Sequence, residues 1–379
     1  MIAEPSAVRV LIVDDSAMIR KVLTMGLSRD PDIEVIGTAS NAAAAEAFLS
    51  RETPDVVTLD IEMPGLDGLS FLKTYLRDRP VATVVISGHS GRGTDIAIEA
   101  LRAGAVDVIA KPTVGVGSGL DTIMADVAAS VKAAARSVAR PGARMHREAL
   151  MRAVASRPAQ NTPSLRLHPK DWLFAIGAST GGVRALSAVL ESFGPDIPGI
   201  VIVQHMPEDF TNAFARRLNG LCRIEVREAA EGDRVEPGLA LIAPGGLCHM
   251  SLVRMGDDFR VRLTEGPPVC FSRPSVDVLF NSVAVASRGR ATGMILTGMG
   301  RDGSEGLRQM RASGARTFAQ DEASSTVYGM PLAAWENGAA EDRIPLDRVA
   351  DTLLRSVGQG ARGPGDNKLT AAQPGGWPT

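Results

Sequence analysis

Two constellations of residues in this chain could do chemistry. The first is a serine in a glycine-rich turn. Residues 173–190 read LFAIGASTGGVRALSAVL, and Gly177, Ser179 and Gly181 have the spacing G-x-S-x-G. Such a turn can lift a serine hydroxyl clear of a sheet, as a nucleophile requires. The same glycines at a helix start also suit a phosphate ligand, or only a tight turn, and the segment by itself leaves the three open. Within this segment neither G-x-G-x-x-G nor the P-loop lysine pattern occurs. The second constellation is acidic. Asp14 and Asp15 close one apolar run, Asp60 and Ser87 close two others, and Lys111 follows a fourth just before Pro112.

These residues gain meaning from the elements that must hold them. VRVLIVDD, IEVIGTA, DVVTLD, ATVVIS and AVDVIA are short β-rich runs alternating with helical patterns. That rhythm predicts a doubly wound, parallel five-stranded sheet with helices on both faces. The fourth strand leads through SGHSGRG to the helical stretch TDIAIEALRAG, and residues 121–139 read as a final helix. From Trp172 the alternation resumes. WLFAIG, GIVIVQ, LALIA and TGMILTG read as strands; VRALSAVLESF, DFTNAFARRL, SVDVLFNSVAVAS and SEGLRQMRAS read as helices. CHMSLVRMGDDFRVRL reads as a hairpin about a Gly-Asp turn. The expected fold class is α/β in both halves, the second with a mainly parallel sheet and one antiparallel hairpin. The expected organisation is a first domain over 7–130, a linker over 131–170, a second domain over 171–357 and a disordered tail over 358–379. A short helix around 145–155 fits the linker's pattern.

In an open parallel sheet the C-terminal strand ends share one crevice. Asp14, Asp15, Asp60, Ser87 and Lys111 all fall there. Three crowded carboxylates repel one another, and a divalent cation relieves that repulsion. An all-oxygen donor set suits Mg²⁺. Lys111 and the Ser87 hydroxyl could then stabilise a phosphoryl group on Asp60.

A serine hydroxyl becomes nucleophilic only beside a base that is itself oriented. After Trp172 the chain has two histidines, His205 and His249. His205 follows the strand GIVIVQ at the same sheet edge as Ser179, whereas His249 lies inside the expected hairpin, so His205 is the candidate base. Asp302, in LTGMGRDGSEG, sits between a strand and a helix and is the candidate third member. Its competitors are Asp321 and Asp277, the latter more simply a first-turn helix carboxylate. The glycines around Asp302 would bare backbone N–H groups to an oxyanion. The order Ser, His, Asp differs from the Ser, Asp, His of α/β-hydrolases.

Residues 7–130 resemble the receiver domain of response regulators, on DD, LDIEMPGLDG, VVIS and AKP. The resemblance implies that a histidine kinase phosphorylates Asp60. The position three before Lys111 is Val108, where many receivers carry an aromatic switch residue. Residues 172–357 resemble the catalytic domain of the chemotaxis protein-glutamate methylesterases (CheB type), on GASTGG, VQHMP, APGG..HM, RPSVDVLF, TGMGRDG and DEASSTVYGMP. This implies hydrolysis of glutamate methyl esters on chemoreceptors with release of methanol, and deamidation of receptor glutamines. It also implies that Ser179 attacks, His205 moves the proton and Asp302 orients His205. Met299 N–H becomes the oxyanion donor and Thr180 lines the site. Arg273 is left between a receptor contact and a solvated loop position. No cofactor is expected for the esterase.

Bulk composition bounds the rest. The 379 residues are 45% hydrophobic with a formal net charge of −2, which gives no whole-chain signal for nucleic acid or membrane. Charge is uneven: residues 1–130 hold 11 Lys/Arg against 18 Asp/Glu, and residues 131–170 hold 9 against 1. The basic stretch reads as a solvated spacer or a contact for an acidic partner. A DNA-binding output would need a helix-turn-helix tail with a basic recognition helix, which the α/β second half does not offer. The start has no signal-peptide pattern, no apolar run approaches a membrane span, and the three widely spaced cysteines suggest neither a disulfide framework nor a zinc site. The expectation is a cytoplasmic monomer without membrane insertion.

Overall fold

A computed structural model describes residues 7–63, 67–76, 81–88, 91–111, 120–138 and 169–359. Pro112, most of the expected linker with its short helix, and the tail from residue 360 lie outside the described residues.

The first sheet has five strands, β1 (Val8–Val13), β2 (Ile33–Ala39), β3 (Val56–Asp60), β4 (Ala82–Ser87) and β5 (Asp107–Ala110), in the order β2-β1-β3-β4-β5, all parallel. β3 and β4 are buried at every position, as expected of strands covered on both faces. The helices are α1 (Ala17–Leu27), α2 (Ala42–Leu49), α3 (Gly68–Phe71, continuing as a π turn), α4 (Gly91–Ala103) and α5 (Leu120–Val138). α4 begins at Gly91, inside the stretch that the sequence gives to a turn. α5 runs past residue 130 and keeps Ala133 and Ala134 fully buried.

The second sheet has seven parallel strands in the order β14-β13-β12-β6-β7-β9-β8. They are β6 (Leu173–Ala178), β7 (Gly199–Gln204), β8 (Glu225–Glu228), β9 (Leu239–Ile242), β12 (Ala291–Ile295), β13 (Arg316–Gln320) and β14 (Asp342–Ile344). β10 (His249–Met255) and β11 (Asp258–Thr264) form the antiparallel hairpin about Gly256 and Asp257. The helices are α6 (Gly182–Leu190), α7 (Phe210–Asn219), α8 (Val276–Ser287), α9 (Ser304–Ala312), α10 (Met330–Glu336) and α11 (Val349–Ser356). The chain leaves β6 on one side for β7 and returns on its other side as β12. This switch point opens a crevice at the strand C-termini, where open α/β sheets bind ligands.

The two sheets do not stand apart. α4 of the first packs against α6 and α7 of the second, and buried side chains from both join one apolar cluster. Asp95 pairs with Arg216 at 3.0 Å and Arg102 with Glu191 at 3.5 Å across this contact. Among the described residues no helix is long and apolar enough to cross a membrane.

Candidate active site

Three neighbouring strands deliver the candidate triad. Ser179 follows β6, His205 follows β7 and Asp302 lies in the loop after β12. Gly181 turns the chain after the serine with φ +81°, and a Cβ there would lie 2.5 Å from the Thr326 side chain. Only glycine takes this conformation without strain, so the sharp strand-to-helix turn depends on it. Ser179 N donates to Thr297 O at 3.0 Å, and His205 N donates to Ala178 O at 3.0 Å. Backbone bonds therefore fix the serine between the strands that carry the other two residues.

His205 Nε2 lies 2.9 Å from Asp302 Oδ2. Asp302 is buried, and its carboxylate also accepts from Ser275 Oγ at 2.8 Å, Val276 N at 2.7 Å and Asp277 N at 3.0 Å. The last two are first-turn amides of α8, so the carboxylate caps that helix. Burial pushes the Asp302 pKa up, but the hydrogen bond and charge of His205 and the α8 amides outweigh it, and the net shift is downward. Asp277 does the reverse service: its Oδ1 accepts from Gly306 N in the first turn of α9 at 2.7 Å. Two helix N-termini thus face two carboxylates, and each carboxylate has its own amides.

His205 Nδ1, the nitrogen left free by Asp302, faces Ser272 Oγ at 3.4 Å. Among the described residues the Ser179 hydroxyl makes no hydrogen bond to His205. Both line one cleft with Gln204, and its opposite wall is Leu101, Asp107 and Val108 from the first sheet's half. Thr180, beside the serine, donates from Oγ1 to Asp107 Oδ2 at 2.9 Å. Asp107 also accepts from Ser130 Oγ at 2.9 Å, and burial raises its pKa against both bonds. The loop carrying Met299 is close to the serine, since a Cβ on Gly298 would fall 2.8 Å from Ser179 Cβ. Among the described residues the Met299 N–H has no acceptor.

The acidic constellation also assembles. Asp14, Asp15 and Asp60 bring carboxylate oxygens within 4.8 Å of one another. Lys111 Nζ donates to Asp60 Oδ2 at 2.6 Å and stands 3.6 Å from Asp14 Oδ2. Burial, and next the charge of Asp60, push the Asp14 carboxyl up; its Oδ2 is buried without a hydrogen-bond partner. For Lys111, burial opposes the charge, but the Asp60 hydrogen bond prevails and the pKa rises. Ser87 ends β4 nearby, fully buried. An orphaned carboxylate oxygen in a three-carboxylate cluster fits a small, oxygen-seeking dication.

Comparisons with known proteins bear on both halves. Residues 174–353 match the family model described as CheB methylesterase, and residues 10–115 match the response regulator receiver domain. A protein-glutamate methylesterase/protein-glutamine glutaminase of Cereibacter sphaeroides is 52% identical over 362 residues, covering 96% of this chain and 95% of its own. The corresponding protein of Syntrophotalea carbinolica is 45% identical over 350 residues, covering 92% and 98%. The chain belongs to the CheB methylesterase family. A solved structure of the Thermotoga maritima CheB methylesterase catalytic domain is 33% identical, covers 49% of this chain and 98% of its own, and has a TM-score of 0.47.

Within this CheB family member the competing candidates make other contacts. His249 is buried; its Nδ1 accepts from Ser275 N at 3.1 Å and its Nε2 lies 3.0 Å from Pro267 O, so both ring nitrogens are taken up by packing contacts. Asp321 accepts from Ser324 N at 2.9 Å in its own turn. Arg273 is half-buried and braces its own loop: Nε donates to Gly246 O at 2.8 Å and Nη1 to Gly266 O at 2.7 Å. Four residues escaped the sequence reading. Gln204 donates from Nε2 to both Ser179 O and His205 O at 3.0 Å, tying the two turns together. Ser275 caps α8 and holds Asp302, Ser272 faces the free imidazole nitrogen, and Asp107 reaches Thr180. A polar residue ending the apolar run GIVIV and the cap pattern P-S-V-D were legible signals for Gln204 and Ser275. Nothing local signals the other two.

Proposed function

We propose that this chain is a phosphorylation-regulated, cytoplasmic hydrolase that removes methyl esters from chemoreceptor glutamates and deamidates receptor glutamines. The observation that carries the reading is His205 held on a helix-capping carboxylate beside Ser179, in a cleft shared with the receiver. Ser179 Oγ attacks the γ-carbonyl, and His205 Nδ1 takes its proton. Asp302 fixes the ring through Nε2 and stabilises the imidazolium. Met299 N–H meets the oxyanion and Thr180 lines the pocket. The imidazolium protonates the leaving methoxide as methanol, or the leaving amine as ammonia from a glutamine. Water then attacks the acyl-serine with His205 again as base, freeing glutamate.

The regulatory half is taken as residues 7–130 and the catalytic half as 171–357, working as a monomer. A histidine kinase supplies the phosphoryl group, which Asp60 accepts while Lys111 and Ser87 hold its oxygens. Asp14, Asp15 and Asp60 would hold a Mg²⁺, which would supply charge neutralisation for that transfer. Without phosphorylation the receiver wall, through Asp107 and Val108, covers the Ser179 cleft. Val108 offers no aromatic rotamer, so release acts through the wall as a whole. The test is methanol release from methylated chemoreceptor membranes with and without a small-molecule phosphodonor. Release that rises with the phosphodonor and disappears in Ser179→Ala is expected. Release that ignores the phosphodonor would remove the switch, and release that survives Ser179→Ala would remove the nucleophile.

A further inference from the structure

The rim beside the triad carries a feature that the reaction does not use. Residues 269–272 close on themselves: Val269 N donates to Ser272 O at 3.0 Å, and Ser272 N donates to Val269 O at 2.9 Å. Both residues between are left-handed, Cys270 at φ 50° and Phe271 at φ 63°. This is a two-residue type I′ turn, which Asn-Gly fills with least strain. A cysteine and a phenylalanine are costly occupants, and the ring recovers nothing, since Phe271 is fully exposed. Side chains kept in strained backbone gather where binding or catalysis needs them.

The turn is anchored to the candidate base. Ser272, next in the chain, faces His205 Nδ1 at 3.4 Å. Arg273 then clamps the loop to Gly246 and Gly266, and Gly246 N donates back to Arg273 O at 3.3 Å. The clamped partner loop carries Leu247, another large apolar side chain exposed to solvent. Phe271 and Leu247 therefore ride on two cross-braced loops beside the reacting atoms.

We propose that Phe271, with Leu247 alongside, is the contact that seats the substrate protein, its ring packing on an apolar patch next to the esterified side chain. The proposal rests on the methylesterase reading above. A side chain on a folded protein that reaches Ser179 brings its own backbone close to this rim, because Ser272 of the turn faces His205. An aromatic knob there gives large contact area with few torsions to order on binding. Held by the turn and the arginine brace, it is positioned before the substrate arrives, which lowers the ordering cost of association.

The test is co-sedimentation of the full chain carrying Ser179→Ala, with phosphodonor present. One arm uses membranes containing methylated receptor and the other uses receptor-free vesicles of the same lipid. Phe271→Ala is expected to weaken receptor binding about tenfold, and Phe271→Trp to keep it. Val285→Ala, which trims an exposed apolar residue of α8, is expected to leave binding unchanged. The Tm of Phe271→Gly is expected to rise, because the turn loses its strain. Full receptor binding by Phe271→Ala overturns the contact, as does an equal loss in Val285→Ala. A Phe271-dependent attachment to receptor-free vesicles also overturns it and assigns the ring to lipid. Methanol release by the unsubstituted chain is read in parallel. Its absence sinks the methylesterase reading and this contact with it; its presence beside unchanged Phe271→Ala binding sinks the contact alone.

Discussion

At the scale of single residues, Asp302 joins the fold to the candidate base. Its carboxylate holds the His205 ring and closes the N-terminus of α8 with two amides and the Ser275 hydroxyl. Its pKa in the folded protein lies below the ordinary carboxylate range despite burial. A group depressed in this way stabilises the fold above its unfolded pKa, near 4, and loses that contribution as pH falls through the folded value. Asp302→Asn should therefore flatten the acid limb of a Tm-against-pH curve below about pH 4. The same change presents an amide to the imidazole and favours the wrong tautomer, so kcat should drop about 10³–10⁴-fold. Thermal unfolding across pH and single-turnover methanol release check the two effects. An unaltered acid limb would show that the α8 cap does not depend on the charge.

At the scale of elements, the site is the meeting of three strand ends, and its tolerance is set by backbone approach. The loop after β12 passes so close to Ser179 that a Cβ on Gly298 would stand 2.8 Å from Ser179 Cβ and 2.3 Å from Met330 Sδ. Met330 can move aside; the serine's own backbone is bonded to Thr297 and Gly182 and cannot. Gly298→Ala should displace the serine from the Met299 amide and lower kcat about 10²-fold, with a smaller effect on stability, read by comparing kcat with Tm. This architecture was largely legible in the sequence because strands buried on both faces read as apolar runs and the chemistry sits at their ends. β2, β4 and β7 fall at the residues the sequence picks out. β8, β13 and β14 do not, for physical reasons. EVRE of β8 is charged because it is an edge strand, and DRI of β14 has only three residues. β13 begins with Arg316, a residue that becomes buried only because Glu341 pairs with it at 2.8 Å. Long-range pairing made these strands, so no local pattern announces them. The candidate triad was found from strand ends, whereas Ser272 and Asp107 approach it through loops and a second sheet.

At the scale of the whole molecule, the proposed regulation requires a covering of the Ser179 cleft stable enough to suppress activity and weak enough to release. The polar contacts fit that requirement. Asp95–Arg216 is solvent-exposed at both ends, and such pairs contribute about 0–1 kcal/mol. Arg102–Glu191 is looser at 3.5 Å. The bond at the cleft itself is Thr180 to Asp107, made on a carboxyl whose burial is costly enough to raise its pKa. A contact of this kind marks where the receiver sits more than it holds it there, and the apolar packing of α4 on α6 and α7 supplies most of the attraction. Removing the Asp107 carboxylate frees the Thr180 hydroxyl and opens the wall facing Ser179. It also frees Ser130, so a second variant is needed to separate the effects. Asp107→Ala should raise methanol release without phosphodonor several-fold and shrink the stimulation by phosphodonor, since part of the closed population is already open. Ser130→Ala, which breaks only the bond inside the receiver, should leave the unstimulated rate as it was. Equal rises in both variants would place the effect in a loosened receiver, and no rise in Asp107→Ala would put the latch entirely in the packing of α4.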